Sequence, residues 1–321
     1  MFMVLGVFGL NLSIDPFGVF GTSSLNEGPA TNERYLKVAH LEENPGYYQH
    51  LIFGSSRSGM TEPLWIEELT GQRTYNLSVF SGAPRDMQKL YGAYKDINGA
   101  PESVTVGLDA MAFLSVSEKT DLSRRHHPRI DPANRLSYWL DYLLAPSAVA
   151  LLDKVAASKS PNITFDWQHG TYALVGKDAA IAADHAGYMK DTFEGWRPRQ
   201  FQAAVDYAEW RALGEWLEEL KKDGVEASVF LQPMHQQWQA RMAPLMPELR
   251  PLLDTIEGLV DLSALGQDDN RLWYEQRHYR PTLAKRLVSE LYARQALKRP
   301  EIAARLNKLE VSKHSRTIND Y

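Results

Sequence analysis

YYQHLIFGSSRS, residues 47–58, is the stretch on which the reading of the fold turns. Its first eight residues form a short apolar run ending in glycine, the pattern of a buried strand. The serines and arginine that follow are turn residues, so the chain leaves the sheet there. Downstream, EPLWIEELTG (62–71) predicts a helix with Leu64, Ile66 and Leu69 inward and Gly71 as its stop. RTYNLSV (73–79) predicts a second strand. PRDMQKLYGAYKDING (84–99) predicts a helix opening on Pro84 and closing at Asn98–Gly99. SVTVGL (103–108), β-branched and apolar, predicts a third strand. This β-α-β-α-β order implies parallel strands joined by right-handed crossovers.

From about Ser115 to Arg199 the alternation stops. Helices are expected over 132–144 and 146–157, and PNITFDWQHGTYALVGKD (161–178) reads as loop or a short hairpin. This region is taken as an insertion, a lid or substrate platform rather than an independent domain. The alternation then resumes. Residues 199–223 predict an amphipathic helix with Phe201, Val205, Leu213, Leu217 and Leu220 on one stripe. EASVFLQP (226–233) and GLVDLS (258–263) predict the fourth and fifth strands, with 236–257 helical in parts between them. A closing helix covers 281–297, and a polar tail from 298 to 321 carries a weak helix at 301–309. The expectation is an α/β domain over 47–297, three-layered α/β/α, with a parallel five-stranded sheet and a helical insertion.

The chain has 321 residues, enough for one large domain or two ordinary ones. Its 35 basic and 40 acidic side chains leave a net charge of −5, without the basic footprint of a nucleic-acid binder. The absence of cysteine excludes disulfides, cysteine-ligated zinc, iron–sulfur clusters and thiol catalysis, and does not decide the compartment. MFMVLGVFGLNLSI (1–14) carries no charge. It is shorter than the about 20 residues a bilayer span needs and lacks the basic start of a signal peptide. Two readings stand: the end of a signal-anchor whose start lies upstream, or a buried N-terminal strand. IDPFGVFGTSSLNEGPATNERY (14–35) reads as an extended linker. An apolar plug followed by such a tether favours the anchor, with residues 1–46 as anchor remnant and linker.

Ligands of open α/β sheets sit beyond the carboxyl ends of the strands. Beyond the first strand come Gly54, Ser55, Ser56, Arg57 and Ser58; beyond the second, Ser81 and Gly82; beyond the third, Asp109; beyond the fourth, His235. YEQRHY, with Glu275 and His278, precedes the closing helix. A serine nucleophile needs a base, and the base needs a third group to fix its tautomer. Glu275 and His278 are three residues apart, close enough for a tight bend to pair them. Alone, Gly-Ser-Ser is an ordinary turn and Glu-x-x-His an ordinary surface; together, in this order with strands between, they suggest a site. His235 either lines that site or holds structure. His126 and His127, among Arg124, Arg125 and Arg129, form either a patch for an anionic glycan or a solvated loop. Asp268 and Asp269 are an alternative acid or a turn. Trp210 and Trp216 fall on a helix and read as packing, whereas Trp167 and Trp238 fall in loops where a sugar could stack. Glycine phosphate loops and metal-binding histidine spacings are absent from the sequence, so neither cofactor nor metal is expected.

The layout resembles the SGNH (GDSL-type) hydrolase and acyltransferase superfamily over about residues 47–113 and 199–295. Gly54-Ser55-Ser56 is similar to the first block, YNLSVFSG (75–82) to the second, VGLDA (106–110) to the third, and Glu275-x-x-His278-Tyr279 to the last. The resemblance implies a flavodoxin-like sheet, Ser56 as nucleophile, His278 as base and Glu275 as the residue orienting it. It also implies an oxyanion hole from the amides of Ser56 and of Ser81 or Gly82. Arg57, His235 and Trp238, beside these positions, are expected to contact substrate. The sequence departs from the pattern where Ser55 replaces an acid and Asp109 replaces an asparagine that donates to the oxyanion. An ionised aspartate cannot donate and would repel an oxyanion. Similar divergent blocks occur in the envelope branch, such as the alginate O-acetylation proteins and the D-alanyl-lipoteichoic acid protein. That likeness implies a periplasmic or cell-envelope location with an N-terminal membrane anchor. It also implies an acylated polysaccharide or envelope polymer as substrate, and a membrane-bound acyl-donor partner. The expected activity is a serine esterase or O-acyltransferase; the alternative is a non-catalytic glycan-binding or assembly protein on the same fold.

Overall fold

A computed structural model describes residues 2–22, 28, 30–114, 121–130, 135–145, 148–197 and 203–296, with 302, 304 and 305. Five parallel strands form the central sheet: β1 (His50–Gly54), β2 (Thr74–Asn76), β3 (Ser103–Leu108), β6 (Glu226–Leu231) and β7 (Val260–Asp261). Their spatial order is β2-β1-β3-β6-β7, and every neighbouring pair is parallel. This is the doubly wound order whose switch point lies beside the first strand.

The pleat sorts the side chains onto two faces. Leu51, Phe53, Val104, Val106, Val229 and Leu231 point to one side. There they meet α2 (Glu33–Glu43), α4 (Pro84–Asn98), α9 (Tyr207–Lys222) and α11 (Met246–Leu253) through Val38, Leu90, Trp216 and Leu249. Ile52 and Phe230 point the other way, onto α3 (Pro63–Thr70) and α12 (Pro281–Ala296) through Ile66, Leu287 and Leu291. The fold is therefore a three-layer α/β/α domain. The second strand hydrogen-bonds as a strand only to Asn76, but Leu77 and Val79 still donate to Ile52 O and Gly54 O, which carries the chain along β1 to the site.

The helix expected from Arg199 begins later, at Tyr207, because Asp206 caps it by accepting from Ala208 N and Glu209 N. Phe201 lies outside the described residues, and Val205 instead bridges to Leu114. In the insertion, α5 (Arg135–Leu144) and α6 (Ala148–Lys159) are helical as expected. The 161–178 stretch is an antiparallel hairpin of β4 (Thr164–Asp166) and β5 (Thr171–Ala173). It runs on into α7 (Val175–Ala183) and α8 (His185–Met189). Between β6 and α11 the chain forms one further helix, α10 (Gln236–Met242). The polar tail lies outside the described residues except for 302, 304 and 305.

Residues 1–46 differ most from expectation. Residues 2–14 form a helix, α1 (Phe2–Ile14), not a strand. The following stretch is folded rather than extended. The buried Asp15 carboxylate accepts from Val19 N, Phe20 N and Gly21 N at 2.8–2.9 Å, and Phe17 and Val19 pack against Tyr138 and Tyr142. Asn32 caps α2 through Tyr35 N, and its amide reaches Leu122 O, Arg125 O and Tyr142 Oη. Residues 33–43 thus belong to the α/β body. Among the described residues no helix is long and apolar enough to cross a membrane.

Candidate active site

The turn after β1 holds the serine. Gly54 and Gly107 face one another across β1 and β3, and a Cβ on either would overlap Ser58 Oγ. Both positions therefore need glycine so that the turn can fold back over the sheet edge. Ser58 Oγ accepts from Gln232 Nε2 at 2.9 Å, and Tyr279 Oη donates to Gln232 Oε1 at 2.9 Å. This buried chain ties the serine turn to the loop before α12. That loop is pinned by Tyr274 N donating to His278 O at 2.9 Å and by the Trp273–Tyr279 bridge.

The result is a Ser–His–Glu line. Ser56 Oγ lies 2.9 Å from His278 Nε2, and His278 Nδ1 is hydrogen-bonded to Glu275 Oε1. With its Nδ1 hydrogen on Glu275, the imidazole presents Nε2 as acceptor to the serine. Burial pushes the Glu275 carboxyl up, but the His278 bond and charge, then Lys177 and Arg277, outweigh it and bring the pKa to about 2. Glu275 is therefore an anion at neutral pH. The insertion reaches this line: Lys177 Nζ, from α7, lies 3.7 Å from Glu275 Oε1, and Tyr172 Oη, from β5, donates to Ser56 O. Neither residue stood out in the sequence, where nothing marks a lysine of an insertion as a partner of a glutamate 98 positions on.

Asp109 does not act as a donor. Arg57 grips it through Nε at 2.9 Å and through Nη2, while Ser55 Oγ donates to Oδ2 at 3.1 Å and Met111 N to Oδ1 at 2.9 Å. Burial raises its pKa, but Arg57, Met111 and Ser55 together hold it below the usual carboxylate range. The two departures from the resembled pattern are thus one device. Serine at 55 and aspartate at 109 face each other and keep a single carboxylate at this spot, where two would repel.

Several expected site residues have other work. Gly82 N donates to Val79 O at 2.9 Å, which removes it from the expected oxyanion donors. Among the described residues, Ser56 N and Ser81 N donate no hydrogen bond, and Ser81 holds a left-handed φ of 53°. Arg57 is buried, with Nη1 on Pro233 O at 2.7 Å, so it braces the strand ends rather than facing substrate. His235 is fully buried, its Nε2 on Asn270 Oδ1 at 2.8 Å and its Nδ1 accepting Gln237 N as the cap of α10. Trp238 is buried, with Arg241 and Arg277 over its ring, and offers no open face for a sugar. Trp167 stacks on Phe165 at 4.8 Å and stays half-exposed. His126 is bound to Asp86 and His127 is buried against Tyr35, so neither belongs to a solvated loop. Asp269 caps a turn and pairs with Arg271. Among the described residues no cluster of metal-ligating side chains occurs.

No family model matches the chain, and no curated protein matches it.

A cleft lined by Thr31, Glu33, Arg34, Phe80, Asp121, Ser123 and Arg124 is separate from the Ser56, His278 and Glu275 side chains, none of which lines it. Phe80, in its wall, meets Tyr172 edge-on at 4.8 Å, and Tyr172 Oη donates to Ser56 O.

Proposed function

We propose that the chain is a serine-dependent esterase or O-acyltransferase acting on an acylated polysaccharide or cell-envelope polymer. The observation that carries this reading is the Ser56 Oγ to His278 Nε2 distance of 2.9 Å, with Glu275 behind the imidazole. Ser56 Oγ attacks the acyl carbonyl carbon and its proton passes to His278 Nε2. The intermediate collapses by breaking the bond to the alkoxide, which leaves with that proton as an alcohol. Water, or an acceptor hydroxyl, then gives its proton to His278 as its oxygen bonds the acyl carbon; the acyl–Oγ bond breaks and His278 returns that proton to Ser56 Oγ. Ser56 N and Ser81 N are the oxyanion donors in this scheme. Helix α1 carries no charged side chain, which fits a location at the envelope.

A second reading, a non-catalytic glycan-binding or assembly protein, draws on one observation. Gly82 N and Asp109 are both unavailable to an oxyanion, and losing one donor typically costs roughly 10²–10³ in rate. Fluorophosphonate labelling and p-nitrophenyl acetate turnover, compared between the wild type and Ser56→Ala, separate the two. The enzyme reading expects labelling and turnover that both vanish in Ser56→Ala. Absence of Ser56-dependent labelling sinks it in favour of the second.

A further inference from the structure

Among the described residues fourteen large apolar side chains are exposed, and eleven of them sit on just three helices, α1, α5 and α6. Scattered exposed leucines need no explanation, but a concentration of this kind does. In α1 every residue from Leu5 to Leu10 is exposed, and Leu5 and Leu10 are 59% and 51% open. A helix apolar all round is ordinarily surrounded by an apolar medium. A partner seated on the surface of α1 covers one side of it, whereas lipid hydrocarbon surrounds an exposed apolar helix on all of them. Ser13 Oγ, the hydroxyl in its last turn, donates to Gly9 O at 2.6 Å and so needs no water.

The two insertion helices extend the same surface. Leu136, Leu140 and Leu144 recur every four residues on α5, and Val149, Leu152 and Val155 every three on α6. Leu136, Val149 and Leu152 are 75%, 73% and 70% exposed. The three helices share a rigid root. Asn11 Nδ2 donates to Tyr142 O, Leu143 O and Ala145 O at the end of α5, and Lys154 Nζ of α6 donates to Asp15 O at 2.7 Å. Phe20 packs on Trp139 beside it, and the indole of Trp139 is of the amphipathic kind that settles at a headgroup boundary. Residues 121–159 carry six cations against four acids in a chain whose net charge is −5. The region is thus mildly basic within an acidic chain, which suits anionic headgroups.

We propose that α1, α5 and α6 form a docking surface for a lipid bilayer carrying anionic headgroups. The apolar helix α1 enters the hydrocarbon while α5 and α6 lie along the interface. The inference is independent of the serine chemistry.

Flotation of the full chain with vesicles of phosphatidylcholine and phosphatidylglycerol tests it. The wild type is expected to float. Val149→Glu/Leu152→Glu on α6 should weaken partition by roughly tenfold or more at an unchanged thermal midpoint. Leu136→Glu on α5 provides a second variant should the first misfold, and is expected to bind more weakly than the wild type. Ser56→Ala should float like the wild type, so failure of the esterase reading does not touch this one. Three results overturn the proposal: a wild type that stays with the lipid-free protein; folded α5 and α6 variants that float unchanged; or a concentration-dependent dimer, split by those same variants, that ignores vesicles.

Discussion

Two carboxylates sit at the same edge of the sheet and are held below their usual pKa, yet their partners differ in kind. Glu275 faces an imidazole that must gain and lose a proton in any acyl-transfer cycle. Asp109 faces the guanidinium of Arg57, which never gives its proton up. Asp109 and Arg57 are also the deeper pair, with side chains 11% and 3% exposed against 19% and 21% for Glu275 and His278. The difference teaches how one edge serves two ends. A titratable partner near solvent makes a site, and a permanent partner under it makes a brace.

The sharpest way to break this comparison is Glu275→Gln. A glutamine can turn its amide toward Nδ1 and donate, which moves the imidazole proton to Nε2 and leaves nothing to accept from Ser56. Ser56-dependent turnover is expected to fall by roughly 10²–10⁴ in protein that is still folded, a loss far larger than any change in the folded fraction explains. A variant that loses stability but keeps its rate would make Glu275 the brace. The mirror experiment is Arg57→Ala, which strands Asp109 as a buried uncompensated charge. Urea unfolding should show a loss of about 3–5 kcal/mol. The double variant Arg57→Ala/Asp109→Asn should recover part of that loss. A cost under about 1 kcal/mol for Arg57→Ala would remove the distinction.

Acid titration of stability comes next. Glu275 has its carboxyl at about 2 in the folded chain against 4.5 ordinarily. A depressed carboxylate stabilises the fold above its unfolded pKa and loses that contribution as pH falls through its folded pKa. Between about pH 4.5 and 2 the wild type should therefore lose up to about 3 kcal/mol through this group, and Glu275→Gln should lose that much less. Asp109 acts in the same direction, so a residual acid slope should survive in Glu275→Gln. A slope identical in both proteins would show that Glu275 gains nothing from His278.

The five strands were legible because parallel strands buried on both faces are near-continuous apolar runs, and all five lie within the expected segments. Ser56, His278 and Glu275 were legible because strand ends limit where chemistry can gather. What stayed hidden has a physical cause in each case. Residues 14–35 are rich in turn formers and read as a tether, but the Asp15 and Asn32 side chains supply hydrogen bonds that fold the described residues around them. Helix α2 looks solvated because it carries Glu33, Arg34 and Lys37, all of which are buried. Lys37 satisfies itself on Asn76 O and Gly170 O, and Arg34 on Asp86, partners no local pattern reveals. Arg57, His235 and Trp238 stood at the right places in the chain, and only burial shows that they point into the body rather than toward a ligand.

The smallest effect belongs to Ser55, and it probes whether the brace is a network or a single pair. Its Oγ donates to Asp109 Oδ2 at 3.1 Å and accepts weakly from Arg57 N at 3.4 Å. Ser55→Ala deletes one neutral donor to a charged acceptor while Arg57 and Met111 N keep theirs. Asp109 stays paired, so urea unfolding should register about 1–2 kcal/mol, well short of the Arg57→Ala loss. Because Asp109 then has one donor fewer, its carboxyl should protonate at a higher pH, and the acid limb of the stability curve should move upward. Ser56 labelling should be unaffected, since Ser55 touches neither His278 nor Glu275. If Ser55→Ala instead silences labelling while the protein stays folded, the brace and the site are one coupled unit, and the division between the two carboxylates does not hold.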